Sequence, residues 1–269
     1  MFQANSQGSV IQRINQEKAP NMSSVFSRWK RPFRKGKLFR ALLEYPRYIS
    51  AMRKYSKMDG AEQIVFGDTY PCLYDRTSKT KIDSHYFYQH LWAFKKIYTL
   101  NPKLHIDVGS STDFVGFLSV ITKVHFVDIR PLDVCNVSSL KIIKASILHL
   151  PYEDNSLESI SCLHVAEHIG LGRYGDTLDP LGTKRAAGEL TRCLAKGGSL
   201  FFSLPVGRPR LCFNAHRIHS PKQILDFFNS LRLVELSGTG DDRRFIENMD
   251  ISILENSNYA CGMFWFRKE

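Results

Sequence analysis

Residues able to do chemistry fall into three clusters along this 269-residue chain. The first is Leu104–Gly116, in which Leu104, Ile106 and Val108 alternate with His105 and Asp107 and lead into Gly109, Ser110 and Ser111. An alternating apolar run that meets a glycine and then hydroxyl and carboxylate caps predicts a strand, a tight turn and a helix, which brings bare backbone amides beside a ligand. About 20 residues beyond that turn, the apolar stretch Val124–Pro131 ends in Asp128, the separation at which a second-strand acid meets ribose hydroxyls in dinucleotide-binding folds. The second cluster, His164-Val-Ala-Glu-His168, has the H-x-x-E-H form in which two histidines one helical turn apart bind zinc beside a glutamate. That motif needs a helix, yet Ser159–Leu163 before it reads as a strand and Gly170-Leu-Gly172 stops any helix after barely a turn. No metal site is therefore expected, and a zinc hydrolase using His164, Glu167 and His168 is the lesser alternative. The third cluster combines Arg173, Tyr174, Asp176 and Asp179 in the glycine-rich loop Gly170–Gly182 with Arg208, Arg210, Asn214, His216 and Arg217 after Pro205-Val-Gly207. Loops this polar must face water or a polar substrate.

The elements that position these clusters alternate between strand and helix. A helix over Asp83–Leu100 breaks at Asn101-Pro102 before the first strand, and Leu140–Ile147 and Ser159–Leu163 read as the third and fourth strands. Arg185–Leu194 reads as a helix closed by Lys196-Gly-Gly198, and Ser199–Leu204 as the fifth strand. Ser220-Pro221 starts a helix over Lys222–Asn229, and Leu231–Leu236 and Tyr259–Phe266 are the final strands. In an open α/β sheet ligands bind beyond the carboxyl ends of the strands, which gathers Gly109–Ser111, Asp128, Ser146, His164–His168 and Pro205–Arg217 on one rim.

The order strand, turn, helix, strand, acid resembles the Rossmann-like class I methyltransferases, whose cofactor is S-adenosylmethionine. Asp107 and Gly109 match that family's turn, while Ser111 and Asp113 stand where it has two further glycines. Leu150–His168 is similar to its leucine-proline, "DNS", fourth-strand and "EH" sequence, and Glu189–Ser203 to its helix, double glycine and fifth strand. From about Tyr70 onward, the strings His85-Tyr-Phe-Tyr-Gln89, Gly170–Asp176, Asp179-Pro180, Pro205-Val-Gly207 and Phe213–Arg217 resemble a little-characterised methyltransferase-like family found in bacteria and nematodes.

The resemblance implies a seven-stranded, mostly parallel sheet with helices on both faces. It implies a cofactor site of Asp107, Gly109, Ser110, Ser111, Asp128, Ile129, Ser146, Ile147 and His164, with Ser146 replacing the acid that commonly meets the adenine. It also places His85, Tyr86 and Gln89 near the start of a helix that in this family often closes over the cofactor, with plain packing at the helix start as the alternative. Methyl transfer from a sulfonium needs an aligned nucleophile and, for a hydroxyl, removal of its proton. His168 is the expected base, with Asp176 beside it and His216 as the rival, and Arg173, Tyr174, Asn214 and Arg217 are expected to bind substrate. The acceptor implied is a sugar hydroxyl on a nucleotide- or lipid-linked glycan in bacterial surface-polysaccharide biosynthesis. The departures at Ser111, Asp113 and Ser146 point to the alternative, a binding module that kept the fold and lost the chemistry.

The net charge of +11 is concentrated: Arg28–Lys57 holds eleven Lys or Arg against the single acid Glu44. Residues 1–24 read as a mobile tail, 25–68 as a basic amphipathic extension and 69–269 as the methyltransferase-like domain. Pro46 is expected to divide the extension into two short helices. Basic and apolar residues together suit either a helix packed on the catalytic domain with its lysines solvated or one lying on an anionic membrane surface, whereas no nucleic-acid motif accompanies the charge. Six scattered cysteines without a C-x-x-C pair suit reduced thiols, and no apolar run approaches the roughly 20 residues that cross a bilayer. A cytoplasmic protein is the expectation, peripheral on the inner membrane face if the extension binds lipid.

Overall fold

A computed structural model describes residues 22–33 and 38–269, so the expected tail lies outside the described residues up to Asn21. The chain divides into two compact units, Met1–Lys81 and Ile82–Glu269. The first unit runs past the composition shift at Thr69 because later residues pack into it. Trp29 donates to Thr69 Oγ1 at 2.9 Å, and Tyr74 donates to the Pro32 carbonyl at 2.8 Å.

In the first unit α1 (Met22–Lys30) precedes α2 (Leu38–Tyr55), which continues through Pro46 instead of dividing there. A proline removes one helical hydrogen bond, but aromatic packing beside it keeps the helix intact. Tyr45 stacks on Trp29 and Phe33 with centroids 5.5 and 5.2 Å apart and donates to the Trp29 carbonyl, and Tyr48 meets Trp29 edge-on at 5.8 Å.

The second unit begins with α3 (Ser84–Leu100), capped by Asp83, which accepts from the amides of His85 and Tyr86, and closed by Asn101 in a left-handed conformation. Then follow β1 (Leu104–Val108), α4 (Thr112–Ile121), β2 (Lys123–Asp128), β3 (Leu140–Lys144), β4 (Leu157–Leu163), α5 (Gly182–Cys193) and β5 (Leu194–Val206). A hairpin of β6 (Arg210–Cys212) and β7 (His216–Ile218) leads to α6 (Pro221–Phe227), β8 (Arg232–Thr239), β9 (Phe245–Ile246), α7 (Ile251–Asn256) and β10 (Ala260–Arg267).

The sheet order is β3-β2-β1-β4-β5-β10-β8-β9, with β1–β5 parallel and β10 antiparallel to both neighbours. The expected seven strands are present, and the two-residue β9 adds an eighth at the edge. The helix after β4 ends at Cys193, before the double glycine, because Leu194 is already extended and pairs with Leu157. Gly197, with φ +75°, kinks the start of β5 instead of stopping a helix. The β6–β7 hairpin and α7 are additions to the expected elements; strands of only three residues, Arg210–Cys212 and His216–Ile218, are too short for an alternation to be read.

Strand alternation feeds two cores. Ile106, Val108, Leu200 and Phe202 pack with Ala186 and Leu190 of α5, Ile224 of α6 and Leu254 of α7. Phe126, Phe201 and Met263 turn to the other face and pack with Trp92 and Ile97 of α3 and Phe114 and Leu118 of α4. Helices on both faces pack against the central strands, so the loops beyond those strands start from rigid anchors.

One buried histidine in this scaffold gives a pH test. Thr183 donates its hydroxyl proton to the Ala166 carbonyl at 3.0 Å, so it accepts from His219 Nε2 at 3.1 Å. Burial, helped by Arg217, lowers the His219 pKa from 6.5 to about 4. Below pH 6.5 the unfolded chain therefore takes up a proton that the folded chain refuses until about pH 4, and stability falls as pH drops through that window. His219→Gln, which keeps a donor toward Thr183, should cost about 1 kcal/mol at pH 7 but gain roughly 2 kcal/mol on the parent between pH 7 and pH 4.5, measured by urea unfolding at both values. A pH-independent difference would mean that His219 takes a proton freely in the folded state.

Candidate active site

A buried polar chain fixes the first turn. His105 lies with its two ring nitrogens each 2.8 Å from the hydroxyls of Ser159 and Ser161, and Ser161 donates to Asp107. Asp107 also accepts from the Ser110 amide at 3.0 Å, and Ser110 Oγ accepts from the Leu163 amide at 3.1 Å. Burial raises the Asp107 carboxyl to about 6, opposed by these hydrogen bonds, and lowers His105 to about 3. The chain thus ties the carboxyl ends of β1 and β4 together beneath Gly109, whose φ of +70° favours glycine. Ser111 caps α4 by accepting from the Phe114 amide and stands 3.1 Å from His90 Nε2. Asp107, Ser110 and Ser111 therefore build the turn, and none of the three lines the cavity above it.

That cavity, of about 670 Å³, is lined by Gly109, Asp128, Ile129, Ser146, Ile147 and His164 from the sequence-derived set, together with Val165 and part of the Gly170–Gly182 loop. Asp128 Oδ1 accepts from the Arg130 amide at 2.6 Å, while Oδ2 would lie 3.7 Å from a Cβ placed on Gly109. The carboxylate and the turn thus face one ligand volume. Ser146 Oγ accepts from the Leu148 amide at 3.2 Å, so its hydroxyl both turns the chain and borders the cavity.

A second cavity, of about 490 Å³, is lined by Asp83, His85, Tyr86, Glu167, Arg173, His216, Asp241, Arg243 and Tyr259. His164, His168 and Tyr174 border both cavities. Of the walls of the second cavity, Asp241, Arg243 and Tyr259 escaped sequence reasoning. They follow β8 and precede β10, and only the pairing of those strands brings them to this rim. Asp241 is held below the usual carboxylate range by the amides of Asn258 and Tyr259, which it accepts at 2.8 Å each.

At the junction, His168 Nδ1 lies 2.6 Å from the Ala215 carbonyl. A carbonyl only accepts, so Nδ1 carries the proton and Nε2 keeps its lone pair. Burial lowers His168 to about 4, which keeps the ring neutral at pH 7. Arg173 also donates to Ala215 at 3.1 Å, and the His216 ring stands 6.4 Å from that of His168. Glu167 is buried and pushed up to about 8 by desolvation, with one oxygen 3.7 Å from His168 Nε2 and the other without a partner among the described residues. Ala166–His168 forms a single short 3₁₀ turn and His164 precedes it with φ +57°, so the helix that an H-x-x-E-H zinc site needs is missing.

The polar loop is anchored along its length. Asp176 accepts from the amides of Gly170 at 2.6 Å and Tyr174 at 3.2 Å; burial pushes its carboxyl up, but these bonds hold it below the usual range. Asp176 reaches the first cavity as the organiser of the loop. Arg217 donates to the carbonyls of Ile169 and Asp179 and lines neither cavity, and Asn214 is exposed and lines neither. Tyr174 lies beneath the Arg130 guanidinium at 4.2 Å, joining the loop to the segment after β2.

Five parallel strands followed by a reversed strand at this position, with cavities at the carboxyl ends, define the class I methyltransferase fold. A putative sarcosine dimethylglycine methyltransferase from Galdieria sulphuraria shares it with a TM-score of 0.50 at 13% identity, over 68% of this chain and 86% of its own. The N-methyltransferase NodS from Bradyrhizobium japonicum, solved with S-adenosyl-l-homocysteine, is similar with a TM-score of 0.49 at 13% identity, over 81% of this chain and 97% of its own. Within that fold, the chain belongs to the family described as "Caenorhabditis protein of unknown function, DUF268", which matches residues 111–255, more than half of its length. No curated protein matches it in sequence.

Proposed function

We propose that this protein is an S-adenosylmethionine-dependent methyltransferase acting on a hydroxyl of a sugar or glycan acceptor. The observation that carries the reading is the sharing of His164, His168 and Tyr174 between two cavities of different character. The larger one suits the cofactor: Gly109 would leave room for the methionine end, Asp128 would accept from ribose hydroxyls, and Ile129, Ser146 and Ile147 would border the adenine. S-adenosylmethionine supplies the electrophilic methyl group. The smaller cavity suits a polyhydroxylated acceptor, because Asp83 and Asp241 accept hydrogen bonds while Arg173 and Arg243 donate them. His168 Nε2, neutral and facing the junction, takes the acceptor's hydroxyl proton, and His216 borders the acceptor beside it.

Calorimetric titration with S-adenosylmethionine and S-adenosylhomocysteine tests the reading. Both should bind, and Asp128→Ala should weaken each by roughly 1.5–3 kcal/mol, the range for hydrogen bonds to a charged group, with the circular dichroism spectrum unchanged. Absence of binding of either compound to the folded protein at millimolar concentration would overturn the proposal.

The first unit supports a lipid-linked form of the acceptor. In the first turns of α2, Leu38, Phe39, Leu42 and Leu43 are 58–76% exposed, and Arg40, Arg47, Arg53 and Lys54 share the helix. Among the described residues no helix is long and apolar enough to cross a membrane. Apolar side chains flanked by cations fit a helix lying in an anionic lipid surface, each cation contributing about 1 kcal/mol. The full chain should sediment with anionic but not neutral vesicles, less strongly as salt rises. Replacing Leu38, Phe39, Leu42 and Leu43 together by Gln should abolish sedimentation; a variant that sediments like the parent would remove the membrane from the proposal.

A further inference from the structure

His85 at the start of α3, His164 at the end of β4 and Cys261 in β10 each offer a ligand atom, and these three atoms lie within 4.8 Å of one another. All three side chains are buried. Neither ring nitrogen of His164 has a hydrogen-bond partner among the described residues, although the side chain is more than nine-tenths buried. Leaving a polar group so placed unpaired costs its full desolvation with nothing in return. Its backbone adds a second cost, since φ of +57° is a left-handed conformation that a non-glycine residue seldom adopts. Strain and an unpaired imidazole at one residue, aimed at a second imidazole and a thiol, mark a ligand site rather than a packing site. The His85 ring also stacks on the Tyr259 ring with centroids 5.0 Å apart, which fixes the plane in which its nitrogens lie.

We propose that His85, His164 and Cys261 hold one zinc ion, with its fourth coordination position opening into the smaller cavity. Two imidazoles and a thiolate form a borderline-soft donor set that suits zinc and excludes magnesium and calcium, which take oxygen ligands. Tetrahedral zinc with bonds of about 2.0–2.3 Å sets its donors roughly 3.3–3.6 Å apart, so the three side chains need close by only about 1 Å around the ion. His85 and His164 both line the smaller cavity, which directs the open position toward a water or an acceptor oxygen. Three protein ligands plus one open position is the pattern of zinc sites that bind and polarise a substrate. The site stands on these residues alone and does not depend on methyl transfer.

The test uses the full chain purified without chelators, its zinc measured by plasma mass spectrometry, and then the same protein with cobalt(II) replacing zinc. Stoichiometric zinc is expected, and the cobalt form should show intense tetrahedral bands with a thiolate-to-cobalt charge-transfer band. Cys261→Ser should lose the charge-transfer band and bind zinc at least about tenfold more weakly, with cooperative thermal unfolding as the check on its fold. Folded parent protein that takes up neither metal stoichiometrically would overturn the proposal. So would a cobalt spectrum without the thiolate band, which would place the metal elsewhere, for instance on His168 and Glu167. The parent's cobalt spectrum decides the matter even where the variant fails to fold.

Discussion

Gly109→Val should yield a folded protein that binds S-adenosylmethionine at least about a hundredfold more weakly than the parent. Two costs combine. Gly109 has φ +70°, a region in which a β-branched side chain is strained, and its Cβ would stand 3.0 and 3.3 Å from the two γ-methyl carbons of Val165. Relief requires either the turn or Val165 to move, and both border the larger cavity. The added methyls would also project beside Asp128, whose Oδ2 lies 3.7 Å from the new Cβ. A loss of 2.7 kcal/mol or so corresponds to that hundredfold change, within reach of strain and steric exclusion together. Calorimetry on the variant, with circular dichroism as the check on its fold, supplies the measurement. An unchanged dissociation constant would mean that the ligand does not approach this turn.

Gly182→Ala should lower unfolding stability by roughly 3 kcal/mol or more, a large effect for one methyl group. The backbone of Gly182 at the start of α5 passes so close to the segment before the polar loop that a Cβ would sit 2.1 Å from the Ile169 carbonyl oxygen and 2.6 Å from its carbon. These are backbone atoms, and they are held: Ile169 accepts from Arg217, and Gly182 donates to the Asp179 carbonyl at 3.1 Å. Gly170 repeats the close approach from the other side, its Cβ falling 2.2 Å from the Asp179 oxygen. Gly188→Ala is the control, because it lies in the same helix and its Cβ would meet nothing within 4 Å. It should gain up to about 1 kcal/mol from helix propensity. Equal unfolding midpoints for the two variants in urea would show that the loop yields freely.

The close approaches also explain why the loop could be read only in part. Its glycines, Arg173, Tyr174, Asp176 and Asp179 are plain in the sequence, and their polarity implies a rim position. Their division of labour is not, because it depends on partners distant along the chain. Asp176 turns inward to cap its own loop, and Arg217 spends its guanidinium on the carbonyls of Ile169 and Asp179 instead of facing a cavity. A charged residue in a loop looks the same in sequence whether it meets a substrate or a backbone.

Features set within a few residues were legible from the sequence by itself. The β1 strand, the turn at Gly109, the Ser111 cap and the Asp128 terminus of β2 follow from alternation, backbone permissiveness and hydroxyl capping, all local causes. Their order along the chain carried the resemblance to the class I methyltransferases, and it was that resemblance which implied the parallel half of the sheet. Tertiary structure alone decided what depends on elements far apart in sequence. Aromatic rings from α1 carried α2 through Pro46, and the buried chain from Ser159 through His105 and Ser161 put Asp107 beneath the turn rather than in the cavity. The reversed strand β10 brought Cys261 to His85 and His164, and Tyr259 to the second cavity. No spacing rule announces such meetings, since they arise when hydrophobic burial closes the sheet and stacks its loops on one edge, an energy summed over the whole core rather than over any one stretch.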